Sequence, residues 1–152
     1  MAQLEALGEL LANGSLKPAE KDPAISARWF ADAGRHLDGA VAIADIDPPG
    51  AIMLAYESAR MSIAAILLDD GFTVRARAGS HQVLDRYASD LAIRTGQPAL
   101  TRLDGLRRLR SQSDFRPDLQ ELQAESRGPQ RSRALDAIGT ARLIHQACLE
   151  AR

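Results

Sequence analysis

The stretch AIMLAYESARMSIAAILL, residues 51–68, constrains this chain most. It is long, apolar and free of proline and glycine, so it reads as a buried helix or a membrane span. Glu57 and Arg60 sit inside it. Hydrocarbon penalises both, which favours a helix buried in protein. Its apolar residues Ile52, Ala55, Tyr56, Ala59, Ile63, Ile66 and Leu67 recur three or four apart, one face of a helical period. The pattern predicts a helix from about Pro48 to Asp69. Asp47 is its N-cap, the prolines fit its first turn, and Gly71 is its stop.

The same period runs through the rest of the chain. A short helix over residues 2–12 ends at Asn13-Gly14, and LKPAEKDP follows as a loop. The spacing of Ile25, Trp29, Ala33, Leu37, Ala40 and Ala44 predicts a helix over 24–44, with Gly34 and Gly39 at close helix–helix approaches. Residues 72–79 read as a connecting loop, and Ser80 as the cap of a helix carrying Val83, Leu84, Tyr87 and Leu91. From about Pro98 a further helix holds Leu100, Leu103, Leu106 and Leu109. Pro117 breaks it, and Leu119 and Leu122 continue it briefly. A last helix over 131–149 turns Leu135, Ile138, Ala141 and Leu149 inward. No run of alternating β-branched residues appears. The expected fold class is all-α: an antiparallel bundle of four to five main helices with a short N-terminal helix. Residues 1–24 form the N-terminal helix and loop, and 25–152 the bundle.

Composition narrows the function classes. The chain has 152 residues, 45% hydrophobic, enough for one core without staples. A net charge of −1 carries no global signature of a nucleic-acid binder, so any such contact must come from a local patch. The single cysteine, Cys148, excludes an internal disulfide and a cysteine-built metal site. No basic segment followed by a continuous apolar run opens the chain. A cytoplasmic protein without membrane attachment is expected. HExxH, phosphate-loop and G-x-S-x-G patterns are absent, so neither metal nor cofactor is expected.

Several polar residues fall on faces that should be buried. On the helix from Pro98, Leu100, Leu103, Leu106 and Leu109 span about half the circle. Arg110 falls near the middle of that arc, and Arg107 at its edge. An unpaired buried guanidinium would cost several kcal/mol. Arg110 must therefore pair with a carboxylate, face a cleft or meet a partner chain. His36 shares the face of Trp29, His145 shares that of Ile138, and His81 opens its helix. From Thr101 to Arg133 arginines outnumber acidic residues, and arginine suits bidentate phosphate contact.

Three stretches resemble the HEPN superfamily of small helical bundles found in bacterial toxin–antitoxin and defence systems. AYESARMSIAAILLDDG resembles the second long helix of that family, and GSHQVLDRYA the short segment after it. LRRLRSQSDF resembles the helix carrying the family's R-x4-6-H motif. The resemblance covers about residues 25–120. It implies a two-fold homodimer in which arginine and histidine cut RNA without metal, the arginine stabilising charge on phosphate. Arg110 matches the arginine, with polar Ser111 after it, but Phe115 stands where the histidine is expected. A phenyl ring transfers no proton.

The resemblance therefore implies a non-catalytic HEPN-like helical domain that binds RNA, a nucleotide or a protein partner. Arg107, Arg110, Ser111, His81 and Arg60 are the candidate binding residues. One alternative is a metal-independent endoribonuclease that uses Arg110 with a displaced histidine, His145 or His36. Another is a regulatory module that binds a protein partner through the amphipathic residues 1–24.

Overall fold

The computed structural model describes residues 2–76, 79–114 and 127–152. It is an all-α helical bundle with a short N-terminal helix. Helix α1 spans Ala2–Ala12, α2 Pro23–Ile43, α3 Pro48–Asp69, α4 Ser80–Thr95, α5 Leu103–Asp114 and α6 Arg127–Ala151. A 3-10 turn, Pro98–Arg102, leads into α5. The readings on Phe115, Pro117, Leu119 and Leu122 lie outside the described residues.

Helix α3 is the axis of the bundle and packs against α2, α4, α5 and α6. Its predicted bounds and cap hold: the Asp47 carboxylate accepts from the Gly50 N–H at 3.1 Å, and both prolines sit in the first turn. Asp22 caps α2 in the same way, accepting from the amides of Ala24 and Ile25. Helix α3 is long and apolar enough to cross a membrane, yet 67% of its most apolar stretch is buried within the bundle. Ala51, Ala55, Ala59, Ile63 and Leu67 all lie in the core.

Two inward faces differ from the sequence reading. On α2 the buried residues are Ser26, Phe30, Ala33, Leu37 and Ala40, whereas Ile25 is exposed and Trp29 half-buried. The stripe enters one residue later, and Phe30 takes the inward place given to Trp29. On α6 Leu135 and Leu149 face outward, while Ala134, Ala137, Ile138, Ala141, Ile144, Ala147 and Cys148 are buried. Helix α6 meets the bundle through a face rich in small residues, which lets it lie close to α3. A leucine count points to the wrong side of such a helix. Gly39 does mark a close approach, since a Cβ there would meet Leu54 Cδ1 at 3.3 Å, but Gly34 has open space.

The sequence reading also missed a strand pair. Leu16–Pro18 (β1) and Phe72–Val74 (β2) form a two-stranded antiparallel ladder, with Leu16 opposite Val74 and Pro18 opposite Phe72. Each strand is too short to alternate visibly. The ladder ties the N-terminal segment to the bundle, and Leu10 and Leu16 are buried in the core. Helix α1 packs against α4.

Candidate functional site

A cleft of about 400 Å³ opens where α3, β2, the start of α4 and α5 meet, with α2 at one side. Its charged lining is Arg60, Arg75, Arg110 and Glu57, with His81 and Ser80 beside them. Among the described residues, three guanidinium groups and one carboxylate line it. Trp29, Leu67 and Leu84 are apolar members of the same lining.

Local structure explains how these groups arrive. Arg60 lies one turn after Glu57 on α3, and its Nε and Nη2 donate to Glu57 Oε2 at 3.0 and 2.7 Å. Arg75 follows β2, where its backbone N–H donates to the Ser15 carbonyl at 3.1 Å. The N-terminal segment thus supports one wall of the cleft. Gly79, at φ 84°, precedes α4 in the left-handed region open to glycine, and the chain turns there. Ser80 is the first residue of that helix and makes no side-chain cap, contrary to the sequence reading. The turn brings His81 to the cleft.

Tyr56 organises the floor. It is 1% exposed, and its hydroxyl lies 2.7 Å from His81 Nδ1. The Arg110 guanidinium lies over its ring, 5.0 Å from the centroid. This is the place of the inward arginine: it stacks on a buried aromatic face at the edge of a cleft, a favourable cation–π geometry. Burial first, then the Asp85 carboxylate, raises the Tyr56 pKa, while Arg110 and Arg60 oppose the rise. The hydroxyl stays protonated and is hydrogen-bonded to Nδ1.

The other candidate residues lie elsewhere. Arg107 is held by Asp85, at 3.1 Å, and by Asp104, so it cross-links α4 to α5. Burial raises the Asp85 pKa, and Arg107 opposes the rise. Ser111 is exposed on α5 and does not line the cleft. His36, half-buried on α2, does not line it either.

His145 is also remote from the cleft. Its Nδ1 lies 2.8 Å from Ser62 Oγ, and its ring packs on Phe30 at 6.2 Å. The Ser62 hydroxyl donates its one hydrogen to the Ser58 carbonyl at 2.9 Å, so Nδ1–H of His145 must donate to the serine oxygen. Burial lowers the His145 pKa and keeps the ring neutral at pH 7. Cys148 is fully buried, its thiol pushed up to about 12 by burial, which makes it unreactive. Among the described residues no three His, Cys, Asp or Glu side chains gather as metal ligands.

No protein-family model, curated protein or solved structure matches the chain. The cleft must therefore be read on its own chemistry. Of the sequence-selected residues it joins Arg110, Arg60 and His81. Arg75, Trp29, Glu57 and the role of Tyr56 escaped the sequence reading. Arg75 depends on a strand register, and Tyr56 reads as an ordinary core residue.

Proposed function

We propose that this chain is a non-catalytic HEPN-like helical module that holds RNA or a nucleotide by its phosphate in the Arg60–Arg75–Arg110 cleft. The observation that carries the reading is the convergence of three arginines and a histidine from separate elements on one cleft. Arginine forks match phosphate oxygens, and the His81 imidazole lines the same cleft. A cytoplasmic setting suits the buried, unpaired thiol of Cys148. The HEPN resemblance adds a toxin–antitoxin or defence context and a two-fold homodimer, which sizing in solution tests.

A metal-independent endoribonuclease is the second reading, favoured by His81 standing beside Arg110 in the cleft. In that reaction the ribose 2′-oxygen bonds to phosphorus and the P–O5′ bond breaks. The 2′-hydroxyl proton goes to a base, and the leaving oxygen receives one. Phe115 in the place of the motif histidine supports binding over cleavage. A protein-binding role for residues 1–24 has less support, because Leu10 and Leu16 are committed to the core.

The test is incubation with single-stranded RNA in EDTA, with binding and product length followed together. Binding without cleavage, weakened in Arg110→Ala, is expected. Cleavage that is lost in both Arg110→Ala and His81→Ala would replace the binding reading with the nuclease. Neither binding nor cleavage by folded protein would remove both.

A further inference from the structure

The cleft lining is mixed: Arg60, Arg75 and Arg110 share it with Trp29, Leu67 and Leu84. A bare inorganic anion would use only the arginines. At about 400 Å³ the cleft falls within the range of small-molecule sites, roughly 300–1,000 Å³. Trp29 is half-buried at the edge of the bundle, so part of its indole is accessible while its packing against the core limits its motion. A rigid indole beside guanidinium groups is the arrangement that takes a stacked base and its phosphate together.

We infer that Trp29 is a base-stacking platform, so that the cleft recognises a nucleobase joined to phosphate and not phosphate alone. The inference rests on the phosphate-binding reading of the same cleft and adds the class of ligand. The base lies against the indole and the phosphate reaches Arg60, Arg75 and Arg110. A duplex, whose bases are already stacked and paired, does not offer a face to Trp29. The same chemistry comes from a free nucleotide or from an unpaired base of single-stranded RNA.

Trp29 is the chain's only tryptophan, so its fluorescence reports the cleft directly. The full chain is titrated at low salt with ribose 5-phosphate, AMP, single-stranded oligoadenylate and an RNA duplex. Calorimetry measures affinity independently of the fluorescence. AMP is expected to bind about tenfold or more tightly than ribose 5-phosphate and to quench Trp29. Oligoadenylate binding much more tightly than AMP points to RNA as the source of the base, and equal binding points to a free nucleotide. Trp29→Leu should erase the preference for AMP over ribose 5-phosphate. The ligand comparison on the unsubstituted chain stands even where that variant fails to fold. Equal affinity for AMP and ribose 5-phosphate with unchanged fluorescence would overturn the stacking inference and leave the phosphate site intact. A duplex binding as tightly as oligoadenylate would overturn it equally. No binding by any of the four would overturn both.

Discussion

Two histidines in this molecule make the same kind of bond in different surroundings. His81 and His145 each join Nδ1 to a hydroxyl on α3, to Tyr56 at 2.7 Å and to Ser62 at 2.8 Å. Ser62 spends its own proton on the Ser58 carbonyl and receives one from His145. His81 is exposed at a cleft with three arginines, while His145 packs on Phe30. A histidine on an inward stripe is thus the structural one, and a histidine at a loop–helix junction is the one able to meet a ligand. Side-chain type and periodicity cannot separate them, because the difference lies in what other elements bring alongside.

The coarsest way to break this comparison is to delete residues 1–22. That removes β1 and uncovers the sites of Leu10 and Leu16. Burial of each leucine is worth about 2–5 kcal/mol by truncation. Loss of cooperative unfolding, or a large drop in urea midpoint, is expected. RNA binding should fall with it, because β2 and Arg75 lose their support. A truncated chain with full stability and full binding would show that the segment supports neither.

Ser62→Ala addresses the His145 side alone. It leaves Nδ1–H without its acceptor, at a cost of about 1–3 kcal/mol, while RNA affinity should not change. A pH series sharpens the point. Burial lowers the folded pKa of His145, so the unfolded chain takes up its proton first as pH falls. Stability from this residue is fully present above its unfolded value of about 6.5 and declines below it. The difference in unfolding free energy between wild type and His145→Gln should therefore shrink from pH 7.5 to 5.5. A constant difference would mean that the ring is not protected by burial.

Tyr56→Phe should have the smallest effect. It removes one hydroxyl beside an exposed imidazole that water can satisfy. About 0.5–1.5 kcal/mol of stability is expected to go, and RNA affinity should change by less than about threefold. A larger loss of affinity with stability intact would mean that the Tyr56–His81 bond positions the ligand.

Much of the fold was legible because apolar period and stop glycine agree in α1 and α3, with the Asp47 cap added in α3, and their predicted bounds match. The faces of α2 and α6 were less legible. Alanine contributes little to a pattern of large apolar residues, yet it is the residue that lines the inner side of α6. For the site, Arg110 betrayed itself by conflict with its own helix face. Arg75 has no such conflict, and its place is set by pairing with residues 16–18, a long way back in sequence. His145 was over-read because its stripe is inward, and its partner Ser62 lies on another helix.

The central claim is that the arginine cleft binds phosphate. The direct measurement is anisotropy of a labelled single-stranded RNA at 50 and 200 mM salt, in EDTA, with wild type and Arg110→Ala. Three phosphate contacts predict a slope of log affinity on log salt of roughly −2, reduced by about 0.7 in the variant. Affinity at low salt should fall about tenfold in Arg110→Ala, the worth of one charge-assisted contact. Binding that ignores both salt and the substitution, or its absence from folded protein at 50 mM salt, would contradict the account.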